Sequence, residues 1–453
     1  MTNPGGMRPP GARTPHTRRR RRMAIAAGAL LVLLGVWAFV FFRDAPPPEY
    51  SDLRLPPPAT VPPGENASLA WDRAPRLGDP PGRPAGLWQW AVAGGLPTDG
   101  GPDTPLRRQG RAWLEENRDA IEGKVATMDL PGFSGAHRKG AVPPDLIRAI
   151  HVLETAAGVE WAEGSPATAW RWLEAASRWH RENFAARTLT LPQLLSHRTH
   201  PLSLVRLHWA LAAPDDLSLL QTALEESARS ELPEEWRRHL LLLQFEQQIE
   251  AVGRPRDLQR RMKGAKLPGW VAALHRPRRS QQLLVEGTRR LIDAAANGET
   301  RPEGYAARVD AFLPIRSTGA RLMHAITGNL AGVILVRGGL TPPSELGHPR
   351  RLAEAEFCSA ALRTVLALRV HRLQHGTWPA DLDALVPQLL PELPLDPESP
   401  ERAPLRYDRD RGLIFGVGEN GRDDGGAPPL GTTNPVVLAG DDRTVRLPDF
   451  LRD

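Results

Sequence analysis

The residues with the clearest potential for chemistry are oxygen-bearing side chains near the C-terminus. Asn420, Asp423 and Asp424 lie in a glycine-rich stretch, and Asp441 and Asp442 follow it along the chain. Calcium takes about six to eight oxygen ligands from carboxylates and carbonyls on a flexible loop, and these side chains with the neighbouring backbone could supply them. The five residues therefore form a candidate calcium site. The alternative is an acidic turn exposed to solvent.

A second candidate is the pair His371 and His375, which are four residues apart and so share one face of a predicted helix. Imidazoles at this spacing can hold a metal if a carboxylate arrives from elsewhere in the fold. The alternative is that both rings lie near the C-terminal end of the helix and interact favourably with its dipole. The spacing leaves both interpretations open.

Recognisable signatures of catalysis are missing from the sequence. It contains no His-Glu-x-x-His motif, no Gly-x-Ser-x-Gly elbow, no phosphate-binding loop and no dinucleotide fingerprint. Cys358 is the only cysteine, which excludes an internal disulfide, and we expect it to be a small buried helix residue, since a reactive thiol needs an exposed electropositive site. We therefore predict no catalytic residues and no required cofactor.

Four tryptophans crowd one predicted helical hairpin: Trp161, Trp170, Trp172 and Trp179. Trp172 and Trp179 are seven residues apart and share a face, whereas Trp170 and Trp172 point apart. Most of these rings should pack in the core. Because tryptophan is favoured at binding surfaces, Trp172 and Trp179 are also candidates for an aromatic groove that binds a peptide or a glycan.

Capping and breaking signals predict the helices that must position these residues. Thr104-Pro105 and Pro144-Asp145 mark helix starts, and Gly164-Ser165-Pro166 joins two helices of ~17 residues into an antiparallel hairpin. Further helices are predicted over about 216–230, 233–252, 278–297, 301–313 and 349–375. Short strands are predicted at 405–407, 413–417 and 444–447. Because no strict period emerges, the middle of the chain is predicted to be an array of helical hairpins, similar to tetratricopeptide stacking but without its consensus residues.

The N-terminus carries the pattern of a membrane anchor. Five consecutive arginines at 18–22 precede residues 23–42, which carry no charge. Twenty helical residues span roughly 30 Å, the thickness of a bilayer core. Basic residues precede the span, so we predict a single-pass helix with a cytoplasmic N-terminus. No small residues stand at a cleavage spacing, so we predict an uncleaved signal-anchor in the inner membrane.

The distribution of charge argues against a nucleic-acid partner. The formal net charge is +6, but eight of the 58 basic residues lie within residues 1–43, which leaves 50 basic against 52 acidic residues in the remainder. Binding of a phosphate backbone needs a basic stripe on the folded domain, and no such run follows residue 43. Residues 46–84 hold twelve prolines and are predicted to form an extended spacer.

Residues of about 350–450 show a specific order of features: an amphipathic helix, a Gly-Thr-Trp-Pro turn at 376–379, a short helix at 381–386, Asp-Pro at 396–397, a strand at Tyr407, and a glycine- and aspartate-rich loop at 418–426. In this order the segment resembles the C-terminal domain of type II secretion major pseudopilins. In major pseudopilins the corresponding loop binds calcium. The whole chain also resembles anchored bacterial envelope proteins with a helical middle and this tail.

The fold class predicted from these observations is mostly α, with an N-terminal transmembrane helix, a tetratricopeptide-like helical array and a small α+β end. The resemblance adds the pseudopilin-like character of that end. The predicted organisation is a basic cytoplasmic tail (1–22), a transmembrane helix (23–42), a proline-rich linker (43–103), a helical-hairpin domain (104–340) and a pseudopilin-like domain (341–453).

The function predicted from this layout is a protein-interaction scaffold, anchored in the membrane, with most of the chain periplasmic and with protein partners in the envelope. The resemblance adds an association with a type II secretion or pilus-like apparatus. Two alternatives remain open. One is an envelope enzyme, such as a hydrolase, whose site no motif marks; the other is a divergent pseudopilin subunit.

Overall fold

A computed structural model describes most of the chain between Asp44 and Pro448 and part of the N-terminal apolar segment. The described residues are 23, 25–35, 44–55, 60–76, 78, 105–130, 132–133, 145–185, 199–229, 236–253, 275–296, 302–314, 317, 319, 324, 329–340, 348–418, 420–426, 434–438 and 441–448. Within these ranges the protein is mostly helical and has a small antiparallel sheet of four strands near its C-terminus. The coarse fold class predicted from the sequence is therefore confirmed.

Eleven labelled helices lie in the described ranges. They are α1 (Ala67–Arg73), α2 (Pro105–Thr127), α3 (Asp145–Ala162), α4 (Pro166–Ala185), α5 (Thr199–Ala212), α6 (Leu217–Arg229), α7 (Trp236–Gly253), α8 (Pro277–Ala296), α9 (Pro302–Phe312), α10 (Leu330–Leu340) and α11 (His348–His375). Residues 25–35 are also helical. Among the residues that the structure covers, none of the helices combines the length and apolar character needed to cross a membrane. Residues 24 and 36–42 of the predicted span lie outside this coverage.

The four strands are β1 (Arg406–Asp408), β2 (Leu413–Val417), β3 (Val436–Val437) and β4 (Asp442–Arg446), in the spatial order β1-β2-β4-β3 with antiparallel neighbours. In the β2–β4 register Gly416 lies opposite Arg443, and Phe415 lies opposite Thr444. All five residues of β2 are buried, because the strand is central in the sheet and packs against α11. The short helix predicted at 381–386 is a single 3₁₀ turn, Asp383–Leu385.

The chain divides into two compact units. The larger unit comprises Tyr50–Gln248, Val285–Phe312 and Gly338–Asp453. Its main core joins side chains of α2 to α6 with those of α11 and the sheet. α3 and α4 form a hairpin whose turn contains Gly164 at φ 80°, and α11 packs along α5 and α6. The long C-terminal helix and the middle helices therefore share one core.

A short helix lies inside the segment predicted to be an extended spacer. The Asn66 side chain caps α1 by accepting hydrogen bonds from the backbone N–H groups of Ser68 and Leu69. Trp71 of α1 is 3% exposed. The prolines predict extended backbone, but burial of one indole stabilises a helix of seven residues, since burying a large aromatic side chain contributes ~2–3 kcal/mol.

The smaller unit comprises Met1–Glu49, Ile249–Leu284 and Leu313–Arg337. Within it, the Asp44 carboxylate accepts hydrogen bonds from the backbone N–H groups of Arg278 and Arg279 at 3.0 and 3.1 Å. Asp44 therefore caps the N-terminus of α8, where a negative charge is stabilised by the unpaired N–H groups of the first turn. Asn329 Oδ1 accepts from the Arg276 N–H and from the Ser280 hydroxyl, both at 3.1 Å.

Candidate functional site

The loop at 420–426 folds against the first residue of β4. The Asp442 carboxylate is buried and accepts hydrogen bonds from the N–H groups of Gly426 at 2.7 Å and Asp424 at 3.1 Å. The Asn420 amide donates to Asp424 Oδ2 at 2.6 Å. Burial raises the pKa of Asp442, the two N–H donors lower it, and the carboxylates of Asp424 and Asp423 raise it again. The structure thus brings together Asn420, Asp424 and Asp442.

Two arginines from outside this loop contact it. Arg406 Nε lies 2.8 Å from Asp423 Oδ2. The Arg411 guanidinium donates to the carbonyls of Gly425 and Gly426 at 2.6 and 3.0 Å. Carbonyl and carboxylate oxygens that a calcium ion would need are therefore engaged by guanidinium groups, and an ion would have to displace them.

The last member of the predicted calcium set is Asp441, which is exposed and whose carbonyl accepts from the N–H of Gly418 at 2.8 Å. Among the described side chains, no group of three or more His, Cys, Asp or Glu residues is placed to hold a metal ion. Calcium binding by this loop stays a prediction. The sequence did not indicate the arginine contacts, and a calcium ion would have to displace them in order to bind.

The predicted binding residues Trp172 and Trp179 lie in α4, and both are 0% exposed. Trp179 stacks on Trp71 with ring centroids 4.0 Å apart and meets Phe133 edge-on at 5.5 Å. Lys124 lies over the Trp71 ring at 4.9 Å and donates to the Trp71 carbonyl at 2.7 Å. Both candidate rings are packed in the core, so a partner could reach them only if this packing opened. Their role in binding stays a prediction.

An arginine on α11 ties the C-terminal helix to the middle of the chain. Arg369 is 4% exposed and donates to the carbonyls of Ala210 and Ala213 and to the Asp215 carboxylate, each at 2.6 Å. Ala210 lies in the last turn of α5, where carbonyls lack partners within the helix. Arg369 therefore caps a helix that is more than 150 residues away in sequence. Periodicity alone could place Arg369 on a stripe but not identify its partners.

A buried ion pair joins two helices of the larger unit. Arg206 of α5 donates to the Glu174 carboxylate at 2.7 Å and to the Ser177 hydroxyl at 3.0 Å. Buried charges need such partners, because an isolated charge in the interior costs several kcal/mol. The pair holds α4 against α5. Because the two charged groups bind each other, they are suited to positioning helices and not to binding a substrate.

Arg443 of β4 is 1% exposed and lies between two carboxylates. Its Nε and Nη2 atoms donate to Glu398, the second at 2.9 Å, and Nη1 lies 3.4 Å from Glu354 of α11. Burial lowers the pKa of Arg443, but the two carboxylates outweigh that effect and raise it. The guanidinium therefore joins the sheet, the Asp-Pro turn and α11.

Cys358 is fully buried in α11, as predicted from the sequence. Burial raises the pKa of its thiol, and the nearby Arg443 offsets only part of that rise. A thiol that is protonated and inaccessible has no nucleophilic role.

The rings of His371 and His375 are adjacent in the last turn of α11, with centroids 4.4 Å apart and planes at 44°. His371 Nδ1 lies 3.3 Å from the carbonyl oxygen of Thr377. Gly376, at φ 77°, turns the chain back so that this carbonyl faces the helix. Partial burial lowers the pKa of His371 and the neighbouring His375 adds to this, while the Thr377 carbonyl acts in the opposite direction.

No family model, no curated protein and no solved structure matches this chain.

Proposed function

We propose that this protein is a scaffold for protein interactions in a bacterial envelope, anchored in the inner membrane by residues 23–42. The observation that carries the proposal is the exposure of a purely apolar helical stretch. In residues 25–35 the large side chains Leu31, Val32 and Leu33 are 69%, 66% and 66% exposed. Each exposed apolar side chain of this size gains ~1.5–3 kcal/mol when it leaves water, and a bilayer supplies the apolar surroundings.

Orientation follows from the flanking charge. The arginines at 18–22 precede the apolar stretch, whereas Asp44 and Glu49 follow it. Basic residues are retained on the cytoplasmic side. The part of the chain that begins at Asp44 is then periplasmic, and the helices and the sheet are the surfaces available to partners.

The C-terminal end is proposed to be pseudopilin-like and to dock onto a type II secretion or pilus-like apparatus. Support comes from the order of its elements: α11, the left-handed Gly376, the 3₁₀ turn at Asp383–Leu385, the buried Asp396 and the antiparallel strands. The network around Arg443 supports the docking role as well, because it fixes the sheet to α11 with few exposed charges. A preorganised surface loses less conformational entropy on binding.

The test is chemical crosslinking in intact cells, followed by purification of the full-length chain and identification of the attached proteins by mass spectrometry. The proposal expects inner-membrane components of a secretion or pilus-like apparatus. Recovery of these components with the chain would support the docking proposal. Recovery of the chain without any such component would contradict the secretion link.

A parallel arm of the same experiment addresses calcium. If the 420–426 loop binds calcium, a chelator should reduce the crosslinked yield, and Asp424→Asn should reproduce the reduction without chelator. The matched control is Asp410→Asn, an exposed aspartate in the β1–β2 turn. An unchanged yield with chelator would remove calcium from the proposal and leave the scaffold itself untouched.

A further inference from the structure

The last turn of α11 presents two imidazoles at a distance suited to one ion. The centroids of His371 and His375 are 4.4 Å apart. Two imidazole nitrogens that each lie ~2.0–2.1 Å from a shared ion, at ~90° to one another, place the ring centres roughly 4.5 Å apart. The observed separation of the ring centres is close to this value. Because α11 is an uninterrupted helix through His375, its backbone fixes the spacing.

The contact between His371 and Thr377 selects the tautomer that metal binding requires. A carbonyl oxygen can only accept, so Nδ1 of His371 carries the hydrogen and Nε2 keeps its lone pair. Histidines that bind metals generally donate their second N–H to such a carbonyl or carboxylate, which orients the ring. The turn at Gly376 supplies this partner within the same segment of chain.

Arg372, which follows His371 in the sequence, contacts an acidic and an aromatic side chain. Arg372 Nη2 lies 3.2 Å from Asp215 Oδ2, and its guanidinium stands over the Trp378 ring at 5.1 Å. These two contacts engage the guanidinium with the loop after α5 and with the turn after α11.

We propose that His371 and His375 form a bidentate site for a divalent transition-metal ion, with Cu²⁺ bound most tightly. Imidazole suits copper, nickel and zinc, and affinity for a nitrogen site rises toward Cu²⁺ in the divalent series. The arrangement at ~90° that fits the observed ring separation corresponds to the tetragonal geometry that Cu²⁺ and Ni²⁺ prefer. The coordination positions that the two rings leave unfilled are open to water or to a further ligand, as in catalytic metal sites. This inference is independent of the scaffold role.

The experiment is a titration of the metal-free, full-length chain with Cu²⁺ alone, read by electron paramagnetic resonance. The proposal expects one equivalent whose spectrum shows coupling to two imidazole nitrogens. His371→Gln and His375→Gln should each weaken that equivalent by at least tenfold and leave coupling to a single nitrogen. His375 is exposed, so its replacement removes no core contact. The matched control is His324→Gln, which removes a histidine whose Nε2 contacts the Pro314 carbonyl.

A second measurement distinguishes a loss of metal binding from a loss of the folded structure. Ni²⁺ at a saturating concentration should raise the midpoint of thermal unfolding for the parent chain and for His324→Gln, because the ion binds the folded helix. It should leave the midpoint of His375→Gln unchanged, while the metal-free midpoints of all three chains agree. Equal affinity and equal spectra for the parent and both histidine variants would overturn the proposal.

Discussion

The Asp396 carboxylate accepts a hydrogen bond from the backbone N–H of Val417 at 2.7 Å. Asp396 begins the Asp-Pro turn, and Val417 is the last residue of β2. The same carboxylate accepts from the Glu398 N–H at 3.1 Å and lies 3.4 Å from Arg406 Nη1. One buried side chain therefore joins the turn before the sheet to the end of the central strand.

Replacing Asp396 tests that junction. Asp396→Ala should lower the free energy of unfolding by about 1–3 kcal/mol, because the N–H of Val417 would be buried without an acceptor. Asp396→Asn keeps the shape of the side chain and one of the two acceptor oxygens, so only one N–H group loses its acceptor and the cost should be smaller. Urea unfolding of the full-length chain in detergent measures both. A loss for Asp396→Ala no larger than that for the exposed Asp410→Ala would show that the junction contributes little.

Position 416 requires a glycine, because β2 passes close to the Asp396 carboxylate there. A Cβ at position 416 would lie 2.9 Å from Cγ and Oδ1 of Asp396, and the carboxylate cannot retreat without losing its N–H donors. We expect Gly416→Ala to destabilise the protein by roughly 1–3 kcal/mol through overpacking. Gly158→Ala in α3 is the matched control, since a Cβ there meets nothing within 4 Å, and alanine should stabilise that helix by ~1 kcal/mol. Shifts of the same sign in thermal unfolding would contradict this account.

Arg443 is predicted to be the most sensitive charged residue of the C-terminal end. Arg443→Met leaves the Glu398 carboxylate buried without the guanidinium that pairs with both of its oxygens, and we expect a loss of about 3–5 kcal/mol. Lysine should not rescue it, because one ammonium cannot reproduce the forked contact with Glu398. The exposed Arg409→Met is the control and should change stability by less than ~0.5 kcal/mol. Chemical denaturation compares the three variants.

His208 of α5 predicts a dependence of stability on pH. Burial lowers its pKa from the ordinary 6.5 to about 4, so the folded protein holds this ring neutral. Between these two values the unfolded chain binds a proton that the folded chain does not bind. The contribution of His208 to the free energy of unfolding is therefore complete above pH 6.5 and falls by up to ~1.4 kcal/mol per pH unit toward pH 4.

The measurement is the unfolding free energy at several pH values for the parent, His208→Leu and the exposed His375→Gln. His208→Leu should flatten the curve between pH 6.5 and 4, whereas His375→Gln should preserve it. A curve for His208→Leu that is as steep as the parent curve would show that other groups cause the acid sensitivity.

Local signals were sufficient to predict many elements. Pro144-Asp145 and Gly164-Ser165-Pro166 bracket α3, and a short apolar run with glycine-rich connections places β2 at its observed residues. The misses have long-range causes. α1 forms because Trp71 stacks on Trp179, and β4 begins at Asp442, before the predicted 444–447, because Asp442 accepts N–H groups from the preceding loop.

The candidate sites, too, were predicted only as far as local sequence signals allow. The sequence identifies Asn420, Asp423 and Asp424 as oxygen ligands by type, but it does not reveal that Arg406 and Arg411 engage this loop. Likewise, spacing pairs His371 with His375, and only the fold adds the Thr377 carbonyl that fixes the tautomer. A contact partner that is distant in sequence, or whose position depends on a left-handed turn residue, leaves no periodic signal in the sequence.

The central claim, an anchored protein with its bulk outside the cytoplasm, is tested most directly by labelling engineered cysteines in intact cells. Thr17→Cys lies before the apolar stretch, and Ser51→Cys is exposed after it. The parent chain is the blank, because its only cysteine is buried. With the outer membrane permeabilised, a maleimide that cannot cross the inner membrane should label Ser51→Cys alone, and Thr17→Cys should react only after lysis. Labelling of Thr17→Cys before lysis, or of neither variant until lysis, would contradict the account.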